Sequence, residues 1–334
     1  MSVFIQYLYL VYCLVKWFLL RLFTNGRSDS VACLEGKTAI VTGGNSGIGL
    51  AISMLLASRG CRVIIADVVD ARKSIENIIE RTKNKNIVGK YINLASIKEI
   101  RKFADDINKN EKKIDILINN AGIGTTTQGS TEDELNTVMQ VNYFGPFLLT
   151  HLLIDSLKSS DSARVIFVGS IMAFMSKLSP DNMGTILNLL DFEFNTSIAY
   201  MLYQNSKLCN VFAAQEFAKK LRKHKINVNS SDPGAVLTYL TYTANELYEG
   251  LFGAIVRMFK ITNVMFHIYG EDAFGGAQTS FHLASSEKLQ DETGQHYYRC
   301  RPFSKPKVLT NTRFCHALWK KTEELVRLKP EEKL

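Results

Sequence analysis

Residues 37–49, KTAIVTGGNSGIG, limit the fold of this chain more than any other stretch. Lys37 to Val41 reads as a short buried strand. It runs straight into Thr42-Gly43-Gly44-Asn45-Ser46-Gly47-Ile48-Gly49, and Leu50 to Ser58 then carries helical apolar spacing up to a C-cap at Gly60. A strand, a tight turn and a helix N-terminus aim free N–H groups and a positive dipole end at one spot, which makes a cradle for an anion. Gly43 permits the turn, Gly47 lets a pyrophosphate approach the backbone, and Gly49 lets the helix lie close on the sheet. The spacing is G-x-x-x-G-x-G, not the generic G-x-G-x-x-G fingerprint. A purely structural glycine turn is the alternative, disfavoured by the clustering of glycines where strand meets helix.

The remaining chain repeats the strand–helix alternation. Further strands are expected at Arg62 to Asp67, Ile87 to Leu94, Ile114 to Asn119, Arg164 to Val168, Ile226 to Ser230 and Gln295 to Tyr298. Helices are expected at Asp70 to Arg81, from a Ser96/Glu99 capping box to Asn108, and from Ser130 through Asn142 towards Leu157. Two more fall at Ile198 to Leu221 and Asn311 to Arg327. This pattern predicts an α/β fold, a single doubly wound Rossmann-type domain with a mostly parallel seven-stranded sheet covered on both faces. Its boundaries are set at 36–302, with an anchor at 1–23, a polar linker at 24–35 and a C-terminal extension at 303–334.

Val3 to Phe23 is the one membrane-length apolar stretch, interrupted by Lys16 and Arg21. A cleaved signal would carry its positive charge ahead of the apolar run, and a spanning helix needs about 20 apolar residues. The stretch therefore reads as an uncleaved hydrophobic anchor helix, spanning with Lys16 snorkelling or lying in the interface. The positive charges follow the apolar run, which puts the globular part in the cytosol. The formal net charge of +8 comes from scattered basic residues. Their densest run, Lys219 to Lys225, complements a helix C-terminus, so nucleic-acid binding is not expected. Six widely spaced cysteines argue against a disulfide framework or a zinc site, and no metal is expected. The sequons at Asn195 and Asn229 read as chance matches, since Asn229 falls in a buried strand.

Three features carry chemistry. Asp67 ends strand two, eighteen residues after Gly49, where a carboxylate accepts from both adenosine ribose hydroxyls and repels a 2′-phosphate. No basic residue follows it directly, so NAD is preferred, with NADP possible. Tyr203 and Lys207 stand i, i+4 on one helix face, so the ammonium is expected to lower the phenol pKa from about 10 towards a usable base. Ser170 ends strand five on the carboxyl edge of the sheet, and Asn142 is a lone amide in an apolar helix.

In order, TGGNSGIG, Asn119-Asn120-Ala121-Gly122, Asn142, Ser170, YQNSK and Pro233-Gly234 resemble the short-chain dehydrogenase/reductase family. The run VNYFGPFLLTHLL, the insert holding Leu190-Asp191-Phe192, and Gly276-Ala277-Gln278-Thr279 make the chain similar to the membrane-associated retinol dehydrogenase branch. The resemblance implies that Tyr203 is general base in alcohol oxidation and acid in carbonyl reduction. Lys207 would tune it and bind the nicotinamide ribose, while Ser170 holds the substrate oxygen. Asn142 would hold a water on the proton path. Asn93, Leu94, Asn120, Ala121 and Gly122 would line the adenosine side, and Pro233, Gly234 and Thr238 would close over the nicotinamide. Family members often pair through the helices bearing Asn142 and Tyr203, which implies a homodimer. The chain departs from the branch in lacking an arginine after strand two. It also has Asn93 for aspartate, Gly169 for serine and Asp232 for histidine.

After Pro233 the chain turns apolar, and Leu247, Leu251, Ile255 and Met258 form one helical stripe, a greasy lid or plain core packing. The expected function is membrane-bound interconversion of a lipophilic, retinol-like alcohol and its aldehyde or ketone. A steroid or isoprenoid-alcohol dehydrogenase on the same scaffold is one alternative, and a catalytically silent nucleotide-binding scaffold is another.

Overall fold

The computed structural model describes residues 3–124, 129–190, 196–236 and 271–334. Thr238, the Leu247–Met258 stripe, Asp191, Phe192 and Asn195 lie outside them. β1 (Thr38–Thr42) is buried at every position because it lies between β2 (Arg62–Asp67) and β4 (Ile116–Asn119), parallel to both. The full order is β3-β2-β1-β4-β5-β6-β7-β8, with β3 at Ile87–Tyr91, β5 at Ala163–Val168, β6 at Ile226–Asp232, β7 at His296–Tyr298 and β8 at Arg301–Phe303. The chain winds outward one way from β1 and the other way from β4, which opens a crevice beyond their carboxyl ends.

Helices cover both faces. α2 (Gly47–Ala57), α3 (Arg72–Thr82) and α10 (Ala273–Ser285) pack against one, around Ile52, Leu56, Ile65 and Phe281. α4 (Ile97–Asn110), the segment from α5 (Thr137–Met139) through α6 (Gly145–Leu152) to α7 (Ile154–Lys158), and α9 (Thr196–Leu221) cover the other. A short α8 (Met183–Ile186) precedes α9. The C-terminal α11 (Thr312–Leu325) buries Phe314, Leu318 and Trp319 in that second core and bonds Thr322 to Tyr143 at 2.8 Å.

The sheet has eight strands, not the expected seven. β8 turns back antiparallel on β7 through Arg299 and Cys300, both at positive φ (52° and 59°). A two-residue turn of this kind favours Asn and Gly, and Arg-Cys carries no such signal. The helix expected from Ser130 begins instead at Thr137. Ser130 bridges to Asn136, the Asn136 side chain caps Met139 N–H, and Asp133 accepts from Ile97 N–H, so this stretch spends its polar side chains locally. β3 stops at Tyr91 rather than Leu94, because the Asn93 side chain accepts from Ala95 N–H and turns the chain.

The N-terminal α1 (Val3–Phe23) docks on the domain. Tyr9 Oη donates to the Lys305 carbonyl at 2.7 Å, and Lys16 sits over the Phe303 ring. Arg21 pairs with Glu271, which also takes Arg299. The side chains of Leu8, Val11, Tyr12, Val15, Leu19 and Leu22 point outward and are exposed. Among the described residues no helix is long and apolar enough to cross a membrane.

Candidate active site

A cavity of about 980 Å³ lies beyond the carboxyl ends of β1 and β4. The glycine turn forms its floor at one end. A Cβ on Gly49 would come within 2.0 Å of the Gly43 carbonyl oxygen and 2.5 Å of Asn120 Nδ2, so only glycine lets α2 start here. Gly43 takes φ +62° with Ala121 Cα against it. Ser46, at the N-cap of α2, makes no side-chain cap bond, and both it and Gly47 are exposed. The first N–H groups of the helix therefore face the cavity without a capping side chain, as an anion site requires.

Thr42 lies beneath this floor, fully buried. Its hydroxyl donates to the Ile118 carbonyl and accepts from the N–H groups of Asn120 and Ala121. Asn120 Nδ2 in turn donates to the Thr42 carbonyl at 2.9 Å, which locks the two turns together. Asp67 Oδ2 accepts from Asn45 N–H and Oδ1 from Val69 N–H, so the carboxylate stands at the cavity edge already oriented. Among the described lining residues Asp67 is the sole carboxylate and Lys207 the sole cation.

The cavity wall brings together Gly43, Ser46, Gly47, Ile48, Gly49, Asp67, Asn93 and Leu94 with Asn120, Ala121 and Gly122. Ser170, Tyr203, Lys207, Pro233 and Gly234 complete the same wall. Thr42, Asn45 and Asn142 stand behind it. Asn142 lies in a π turn (Gln140–Phe144) and exchanges bonds with both backbone groups of Ile123, at 2.7 and 2.9 Å. Its amide also donates to Ser206 Oγ, so the side chain fastens the end of β4 to α9.

Lys207 is 5% exposed; its Nζ donates to the Val168 carbonyl at 3.1 Å and lies 5.6 Å from the Tyr203 ring centroid. Burial lowers its pKa to about 8, and Asp232 pulls it back up. The Tyr203 phenol differs from the expectation of a lowered pKa. Burial raises it, Asp232 and Tyr200 add to the rise, and a hydrogen bond with Ser170 opposes it. Asp232, 1% exposed, is raised to about 6 by burial, against the Gly234 N–H bond, Trp17 and Lys207.

Sequence reasoning missed Trp17, Tyr200 and Met172, all on this wall. Tyr200 stands one turn before Tyr203 on α9, a spacing that was legible. Trp17 was read as part of an anchor.

A family model described as short chain dehydrogenase matches residues 37–179. Over 307 residues the chain is 32% identical to retinol dehydrogenase 13 of Homo sapiens, covering 91% of this chain and 89% of that one. The chain belongs to the short-chain dehydrogenase family. It is also 32% identical to human retinol dehydrogenase 12, over 98% of this chain and 97% of that protein. Its fold matches a short-chain dehydrogenase from Shigella flexneri complexed with NADP, with TM-score 0.61, 18% identity, and 81% and 99% of the two chains covered. A Mycobacterium paratuberculosis protein superposes with TM-score 0.68 at 23% identity, over 90% and 96% of the chains. As a short-chain dehydrogenase of the retinol dehydrogenase branch, the protein is an NAD(P)-dependent oxidoreductase.

Proposed function

We propose that this short-chain dehydrogenase interconverts a lipophilic, retinol-like alcohol and its carbonyl at a membrane surface, with Tyr203 as the proton-transfer group. The reading rests on one observation, that Ser170, Tyr203 and Lys207 share a single cavity with the glycine cradle. A bound nicotinamide cofactor would supply or accept the hydride, held by the α2 N-terminus, Asp67 and Lys207. Tyr203 donates its proton to the substrate oxygen in reduction and takes it back in oxidation. Ser170 steadies the charge that develops on that oxygen. Burial and Asp232 keep the phenol protonated, the form that reduction needs. Asp67, with no cation beside it on the wall, favours NAD over NADP.

The retinol dehydrogenase relatives and the largely apolar cavity support a lipophilic substrate. The exposed face of α1 supports an interfacial attachment, with the helix lying in the headgroup region of the endoplasmic reticulum on its cytosolic side. The test is a screen of the purified full chain against retinoids, steroids and farnesol-type alcohols and their carbonyls, each with both cofactors. The expected result is turnover of at least one lipophilic pair, lost by a factor of about 10³ or more in Tyr203→Phe while cofactor affinity holds. Turnover confined to short water-soluble alcohols, or an active Tyr203→Phe, would overturn the reading.

A further inference from the structure

The N-terminal helix reaches the cavity. Trp17, on the inner face of α1, is a wall residue together with Ser170, Ile171, Met172, Tyr200 and Tyr203. Its indole stacks on Tyr298 of β7, with ring centroids 5.1 Å apart and planes 12° from parallel. Tyr298 stands opposite Asp232 in the sheet register, and its ring lies 3.4 Å from the space that a Cβ on Gly234 would fill. Trp17 therefore stands at the end of the cavity remote from Asp67, beside the turn that follows β6.

Two further contacts fix its seat. Cys13, one turn earlier, is fully buried under α1, while one turn later Arg21 pairs with Glu271, the partner of Arg299. Behind this wall Trp17 Nε1, Asp232 Oδ2 and Tyr298 Oη are all buried, and the indole N–H is near enough to the Asp232 carboxyl to hold its pKa down against burial. With Tyr200 and Met172 the indole gives this end of the cavity an aromatic and apolar wall, which suits the hydrocarbon part of a guest, while Ser170 and Tyr203 offer hydroxyls to its oxygen.

We propose that Trp17 is a specificity-determining residue, so that α1 is a working wall of the substrate cavity as well as a membrane contact. The proposal deepens the reading of a lipophilic substrate and rests on it for the identity of the guest. The outer face of α1 carries the exposed Leu8, Val15, Leu19 and Leu22, and the inner face carries Trp17. One helix thus touches both the lipid that would hold a hydrophobic substrate and the cavity that would receive it.

The experiment uses the full chain with retinal, butanal and NADH as probes. Trp17→Ala is expected to lower kcat/KM for retinal at least tenfold, mainly through KM, with butanal changed less than twofold. Trp17→Phe should restore most of the loss. An equal change for both aldehydes, or none, would overturn the proposal. A second readout needs no turnover. The chain has two tryptophans, and Trp319 packs on Phe217, ten residues or about 15 Å along α9 from Lys207. Tryptophan-sensitised emission from bound NADH should persist in Trp319→Phe and fall by more than half in Trp17→Phe. The reverse pattern would place Trp17 away from the cavity and sink the proposal. If neither aldehyde reacts but the emission pattern holds, the substrate reading fails while the wall stands.

Discussion

The two ends of the cavity are built differently. At the glycine turn the ligand-facing surface is mostly backbone, shaped by what Gly43 and Gly49 permit and pinned by Thr42 and Asn120 within 80 residues of chain. At the far end the surface is largely side chain, with Trp17, Met172, Tyr200 and the Pro233–Gly234 turn drawn from across more than 200 residues. Backbone surfaces suit a ligand part that never changes, and side-chain surfaces suit one that does. The first end can therefore be shared across a family while the second sets what each member accepts.

The sharpest way to break this contrast is at Gly49. Gly49→Val puts methyl groups where a single Cβ already meets the Gly43 carbonyl oxygen at 2.0 Å. Cofactor affinity should fall by about 100-fold or more, measured by titration of NADH fluorescence. A thermal melt run alongside separates lost binding from lost folding, and a folded variant that binds normally would refute the backbone account. Asp67→Asn tests the one charged side chain on the described wall at this end. The ratio of kcat/KM for NAD over NADP should fall by about tenfold, because the charge that repels a 2′-phosphate is gone while the bond to Asn45 N–H is kept.

Asp232→Asn probes the other end. The Asp232 charge raises the pKa of both Tyr203 and Lys207, so removing it should move the alkaline limb of the pH–rate profile down by about one unit. The same substitution has a signature in stability. The Asp232 carboxyl is raised from 3.8 to about 6 in the fold, so its contribution is fully present below 3.8 and lost as pH rises through about 6. Asp232→Asn should flatten that part of the Tm profile between pH 4 and 7. An unchanged limb would mean that the charge does not reach the proton-transfer pair.

The contrast also explains what could be read from the chain alone. The glycine turn, the Tyr203–Lys207 pair and the alternating strands were legible because spacing and backbone freedom dictate them locally. Trp17 was not, since a helix rich in aromatics reads the same whether it faces lipid or a neighbouring tyrosine. The Tyr203 electrostatics were misjudged because sequence shows the nearby lysine but neither the burial nor Asp232 behind it. β8 was missed because its turn places Arg299 in a conformation that Thr24 and Glu271 hold from outside the hairpin.

That hairpin closes one border of the sheet. β8 is three residues long and carries Pro302, which has no N–H to offer a new strand. A second copy of the molecule cannot continue the sheet past this margin by ordinary ladder pairing. Of the two borders of the sheet, only the one at β3 is left with a full-length strand to offer.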